Sequence, residues 1–255
     1  MKIQYVSDLH LEFKENSHYL KNNPLDVAGD ILLIAGDSAY LDTPEFSCHP
    51  FWDWASANYK EVVVCLGNHE FYQYYDISKL KDGFCGEIKH NVHYYYNSVL
   101  RILDVEIVVS TLWGHINPQD VYITEHRVND FHRIRNGQYR LTAEAFNAEN
   151  ERCVSFIKQS VKNSKAKAII VLTHHVPTNL AVAKEFKDSS INGAFTCDLS
   201  EYIAESGIDY WIYGHSHRNI DCMVGKTKVV CNQLGYVFNG EHINNGYVKS
   251  KIIEI

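Results

Sequence analysis

Five short apolar runs in this chain each end in an aspartate, asparagine or histidine, and that recurrence constrains the fold more than any other feature. They occupy 3–6, 31–35, 62–66, 169–173 and 209–213. Such runs, mostly β-branched and apolar on both faces, suit strands buried inside a layered α/β domain. They lead into Ser7-Asp8-Leu9-His10, Gly36-Asp37-Ser38, Gly67-Asn68-His69-Glu70, Thr173-His174-His175 and Gly214-His215-Ser216-His217. Further strand-like runs lie at 107–111 and 229–232. The carboxyl ends of strands form the ligand crevice in folds of this class, so the five turns are expected to converge on one place. Glycine at these ends permits a sharp turn and lets a bulky ligand come close.

Helices are expected between the strands. Thr142 can cap a segment whose apolar side runs Phe146, Cys153, Ile157, Val161, a helical period. Asp198-x-x-Glu201 is a capping-box pattern, and Gly207 would close that helix. Asp104-Val105, Gly225-Lys226 and Asn239-Gly240 read as hairpin turns, the last most strongly. With no repeat and no Pro/Gly-rich linker, the expectation is one α/β domain over 1–255 with more than one sheet layer.

Composition narrows the function classes. A chain of 255 residues, 45% apolar, can bury a full core without staples. The longest apolar runs are only about five residues, far short of a membrane span. A net charge of −7 argues against non-specific duplex binding. The start of the sequence shows no secretory pattern, and seven cysteines without C-x-x-C spacing favour free thiols in a reducing cytoplasm.

The strand-end residues form a mixed oxygen and nitrogen donor set. That suits manganese, iron, zinc, nickel or cobalt better than magnesium or calcium, and seven or more donors fit two ions rather than one. An aspartate between two such sites can bridge them.

D-x-H, G-D, G-N-H-E, an H-H pair after a strand and G-H-S-H, in that order from Asp8 to His217, resemble the calcineurin-like metallophosphoesterase family. The resemblance implies a four-layer αββα sandwich whose late hairpins belong to the second sheet. It implies two divalent transition-metal ions, with manganese the first expectation. Asp8, His10, Asp37 and His217 would hold one ion; Asp37, Asn68, His174 and His215 would hold the other, with Asp37 shared. His69 corresponds to the family's non-ligand histidine that assists the leaving group. Two ions about 3.5–4 Å apart acidify a bridging water, and the hydroxide attacks phosphorus in line. The ligand set is shared by monoesterases, diesterases, nucleases and protein phosphatases and does not choose among them. The compact chain, with no large cap domain evident, suits an open site for a small phosphodiester or nucleotide. The acidic charge disfavours nucleic acid, no membrane partner is expected, and nothing in the sequence addresses oligomeric state.

Rival readings remain beside this one. Asp37 or Asn68 alone could be a turn residue, but that does not explain His10, His174, His215 and His217 in the same role. His175 reads as a packed or supporting histidine, and Glu70 as a residue that orients a ligand or starts a helix. Residues 114–140 hold Arg127, Arg133, Arg135 and Arg140, whose forks suit phosphate. The favoured reading pairs them with Asp120, Glu125 and Asp130 on a solvated loop; Asn129 and Asp130 stay outside the site. Tyr72, Tyr74, Tyr75 and 94–96 are read as packing rather than base-stacking aromatics. The alternatives to a small-molecule esterase are a nuclease or protein phosphatase of the same superfamily, and a metal-binding scaffold without turnover.

Overall fold

The computed structural model describes residues 1–255, apart from the side chain of Glu45. Its first half contains strands β1 (Lys2–Val6), β2 (Ile31–Ala35), β3 (Glu61–Cys65), β4 (Phe84–Lys89), β5 (Val92–Tyr96), β6 (Ser98–Ile102) and β7 (Val105–Ser110). The second half adds β8 (Arg135–Asn136), β9 (Tyr139–Arg140), β10 (Ala168–Thr173), β11 (Tyr210–Tyr213), β12 (Cys222–Val224), β13 (Thr227–Cys231) and β14 (Ile252–Glu254). The helices are α1 (Lys14–Asn22), α2 (Pro44–Cys48), α3 (Pro50–Asn58), α4 (Val121–Arg127), α5 (Asp130–Arg133), α6 (Ala143–Asn163), α7 (Ser200–Glu205) and α8 (Glu241–Asn244).

Two six-stranded sheets result, ordered β14-β1-β2-β3-β5-β4 and β12-β13-β11-β10-β7-β6. Strands β1, β2 and β3 run parallel side by side in one sheet, as β10 and β11 do in the other. Alternation along β2 shows how the layers are built. Ile31, Leu33 and Ala35 face a core shared with Ile107, Ile170 and Ile212 of the opposite sheet. Leu32 and Ile34 face the other way, onto Leu20 of α1 and Trp52 of α3. On the far side, Val171 and Trp211 pack against Ile157 of α6 and Ile203 of α7. Three stacked cores separated by two sheets make the four layers of an αββα sandwich.

Thr142 caps α6, its hydroxyl accepting from Ala145 N at 3.2 Å, and Phe146, Cys153, Ile157 and Val161 are buried. The hairpins at Asp104 and Gly225 join β6 to β7 and β12 to β13. The turn at Asn239-Gly240 is not a hairpin. Gly240, at φ +69°, links a short 3-10 turn (Val237–Asn239) to α8, so the left-handed residue joins two helical turns instead of two strands. The capping box is also absent: α7 starts at Ser200, and Asp198 instead accepts from the backbone of both Ser200 and Asn179. Among the described residues no helix is long and apolar enough to cross a membrane. All seven cysteines are unbridged.

Candidate metal centre

The five strand-end turns meet at one place, as their residue types led us to expect. Their backbone is unusual there. Asp8, His10, Asp37, His215 and His217 all have φ between +48° and +75°, a left-handed conformation costing on the order of 1 kcal/mol each for residues with a Cβ. Neighbouring loops hold each one. Asp8 N donates to Gly36 O (3.0 Å) and His10 N to Asp37 O (2.9 Å). His215 N donates to the Asp8 carboxylate (3.1 Å) and His217 N to Gln233 Oε1 (2.6 Å). Asp37 N donates to Glu70 Oε2 (3.0 Å).

Glu70 therefore works as a clasp. Its carboxylate also accepts from Ser38 N (2.7 Å), Ser38 Oγ (2.6 Å) and Gly67 N (2.7 Å), tying the ends of β2 and β3 together. Burial and the nearby Asp37 push its pKa up to about 7. The glycines of these turns have a role different from the expected one. A methyl group at Gly36 would strike the His174 ring, and one at Gly67 would strike the Asp37 carboxylate. What comes close to them is the candidate ligand side chains themselves.

Side chains gather in two groups. His10 Nε2 lies 3.1 Å from His217 Nε2, which is 3.3 Å from Asp8 Oδ1. His174 Nε2 lies 2.9 Å from Asn68 Oδ1, 3.1 Å from His215 Nδ1 and 3.2 Å from Asp37 Oδ1. The other Asp37 oxygen, Oδ2, faces His10 Nε2 at 3.8 Å. One carboxylate thus turns an oxygen to each group.

The outward contacts decide what the inward atoms can be. His10 Nδ1 sits 3.0 Å from Glu12 Oε1, and His217 Nδ1 sits 2.6 Å from Glu241 Oε2. His174 Nδ1 sits 2.8 Å from Ala35 O. Carboxylate and carbonyl oxygens only accept, so each Nδ1 carries a proton, and it is Nε2 that turns inward and offers its lone pair whenever the ring is neutral. Asn68 Nδ2 donates to Asp130 Oδ1 at 2.8 Å, which aims Asn68 Oδ1 inward too. Both groups therefore bring ligand-type atoms face to face, an arrangement that needs a proton or a cation between them. Asp8, His10 and His217 form one such cluster, Asp37, His174 and His215 another, and His10, Asp37 and His69 a third between them. The residues present fit a pair of divalent ions.

In the chain alone, the surrounding carboxylates favour protons on two of these rings. Burial alone would lower His217, but Asp8 and Glu241 override it and push it up to about 10. Asp37 does the same for His174, to about 9, and the histidines hold Asp37 well below the carboxylate range despite its burial. His10 is lowered, by burial and then by His69; His215 is lowered well below the imidazole range, by burial and then by His175.

His69 stands beside the first group. Its backbone N donates to Asp37 Oδ1 (2.9 Å), its Nδ1 meets Glu12 Oε1 (2.8 Å), and its Nε2 lies 3.3 Å from the Tyr236 hydroxyl. Burial opposes protonation of His69, but Asp37 and Glu12 raise its pKa above the usual value. His175 is packed, its ring tilted against Trp113 at 5.4 Å with Nδ1 on Thr111 O.

The Calcineurin-like phosphoesterase family model matches residues 1–219. This chain belongs to that family. Protein L509 of Acanthamoeba polyphaga mimivirus, uncharacterized, is 29% identical over 269 residues, spanning 95% of this chain and 94% of that protein. A phosphopantetheinyl hydrolase from Mycobacterium tuberculosis shares the fold, with TM-score 0.70 at 13% identity, over 99% of this chain and 95% of that one. Membership makes this calcineurin-like chain a phosphoesterase carrying His/Asp groups able to bind metal.

Several residues of this calcineurin-like site were not read from the sequence. Glu12 touches both His10 and His69, and Glu241 orients His217. Asp130, left outside, is buried with Oδ1 on Asn68 and on the Tyr72 hydroxyl (2.8 Å), and the Tyr72 ring packs on His69 at 4.3 Å. The sequence did hold one signal for Glu12: it lies two residues past His10 in the same loop. The arginine pairing expected in 114–140 is not formed. Glu125 accepts from Ala143 N, Asp130 is spent on Asn68 and Tyr72, and among the described residues these arginines make no ion pair. The aromatic runs pack in part: Tyr72 and Tyr96 are buried and 94–96 lie in β5, but Tyr74 is exposed, with Arg135 over its ring.

Proposed function

We propose that residues 1–255 act as one catalytic domain that hydrolyses a small phosphodiester or nucleotide with two divalent ions, manganese first among them. The observation that carries this reading is Asp37, whose two oxygens face two separate groups of ligand-type atoms at 3.2 and 3.8 Å. Asp8, His10, Asp37 and His217 are assigned to one ion, and Asp37, Asn68, His174 and His215 to the other. When bound, the ions would supply Lewis-acid charge for the phosphoryl oxygens and a water nucleophile that ionises near neutral pH.

The chain's own residues do the rest. Glu12, Ala35 O and Glu241 each accept the Nδ1 hydrogen bond of a ring, so the Nε2 atoms are aimed inward before any ion arrives. His69 is assigned to the leaving group. Glu12 holds the proton on its Nδ1 and turns Nε2, with the Tyr236 hydroxyl, toward the reaction face. The net charge of −7 supports small substrates over nucleic acid, and the unbridged cysteines support a cytoplasmic setting.

Hydrolysis of bis-p-nitrophenyl phosphate and p-nitrophenyl phosphate, with manganese-loaded protein and an EDTA control, tests the reading. Chelator-sensitive turnover favouring the diester is expected. No turnover of either ester by protein that holds two ions would overturn it in favour of a metal-binding scaffold.

A further inference from the structure

The centre is crowded with negative charge. Asp8, Glu12, Asp37, Glu70, Asp130 and Glu241 all contribute carboxylates to it or to its supports. Two guanidinium groups reach the residues around it. Arg218, next to His217, is already engaged: its Nε lies 3.0 Å from Glu185 Oε1. Arg133 differs, being exposed and making no ion pair among the described residues.

Its placement follows from α5. This single turn holds Asp130 and Arg133 three positions apart, on the same side of the helix. Asp130 points inward and anchors Asn68 and Tyr72. Arg133 then lies above, with Cζ 5.5 Å from the centre of the Tyr72 ring. That ring packs on His69 at 4.3 Å, and the half-buried Tyr40 ring stacks on His69 from 6.1 Å. Burial and the nearby Glu12 raise the Tyr40 phenol, and Arg133 opposes the rise. The Tyr72 ring thus holds an unpaired cation on the side of the centre where His69 stands. Arg127, Arg135 and Arg140 are equally exposed but have no such link to His69.

We propose that Arg133 binds a second phosphate carried by the leaving group of the substrate. The inference rests on the phosphoesterase reading and on the assignment of His69 to the leaving-group side. It deepens that reading by naming the substrate class: phosphoesters whose departing alcohol itself bears a phosphate. A planar guanidinium fork over a ring is pre-organised for phosphate oxygens, and it adds affinity that neutral leaving groups would not receive.

Binding by the manganese-loaded protein tests this without requiring turnover. Propane-, butane-, pentane- and hexane-bisphosphonate would be titrated calorimetrically against propylphosphonate, their one-headed counterpart. The expected result is a gain of roughly tenfold in affinity for the bisphosphonate of best length. In Arg133→Ala the ratio falls to near one, Arg133→Lys keeps part of it, and the control Arg140→Ala keeps all of it. A wild-type ratio near one at every length overturns the proposal, as does a ratio that survives in Arg133→Ala. Failure of the phosphoesterase reading shows separately, as absence of ester hydrolysis by protein that still binds these phosphonates.

Discussion

His10 and His217 face each other through their Nε2 atoms at 3.1 Å, although 207 residues separate them in the chain. Each ring has its outer nitrogen on a glutamate, Glu12 for one and Glu241 for the other. Two inward lone pairs at that distance repel unless a proton or a metal ion lies between them.

Metal loading should therefore expel protons. His217, at about 10, and His174, at about 9, hold protons at neutral pH in the chain alone, and a ligating nitrogen cannot keep one. Ion affinity should rise as pH climbs from neutrality toward those values. Calorimetric titrations of manganese in buffers of different ionisation enthalpy would read the proton count directly. A count of zero would contradict the ligand assignment.

Asp37→Asn should cut turnover by more than about a hundredfold and lower metal content, because the amide offers only one good oxygen donor to two sites. His217→Ala should do the same through loss of one ion. Metal analysis beside ester hydrolysis decides it. Full activity in either variant would sink the two-ion arrangement.

Glu12→Gln tests the shared support beneath His10 and His69. The change keeps the shape but removes the charge that holds both rings, so turnover should fall about ten- to a hundredfold. His69→Ala should also slow turnover while both ions stay bound. If His69→Ala runs at the wild-type rate, His69 leaves the mechanism.

Gly36→Ala and Gly83→Ala separate backbone strain from collision. Both glycines have φ above +80°, but only a methyl group at Gly36 meets the His174 ring. Gly83→Ala should cost about 1 kcal/mol and Gly36→Ala clearly more, with loss of metal. Denaturant midpoints measure both. Equal costs would mean that the His174 ring moves aside freely.

The strand-end residues were legible because apolar runs mark β1, β2, β3, β10 and β11, and chemistry-bearing residues sit at the end of each. The layers were legible for the same reason: β2 is apolar at every position, which only a strand covered on both faces tolerates. Strand β4 was not, since its mixed burial at the sheet edge dilutes the apolar signal. Glu241 was hidden behind a misread turn. Asn239-Gly240 has the composition of a hairpin, yet a left-handed glycine serves equally well between two helical turns, and only tertiary contacts choose. Asp130 and Arg133 were named but assigned to a solvated loop, because a four-residue helix leaves no periodicity to read.

The centre draws residues from both sheets, with Asp8 and Asp37 following β1 and β2, and His174 and His215 following β10 and β11. A growing polypeptide leaving the ribosome has three of its five turns early, but cannot capture ions in the final geometry until residues near 241 have emerged. By then most of the N-terminal sheet has been waiting for its counterpart for over a hundred residues of synthesis, at about 5–20 residues per second. Ion capture would come as the last act of folding and would latch the two halves against reopening.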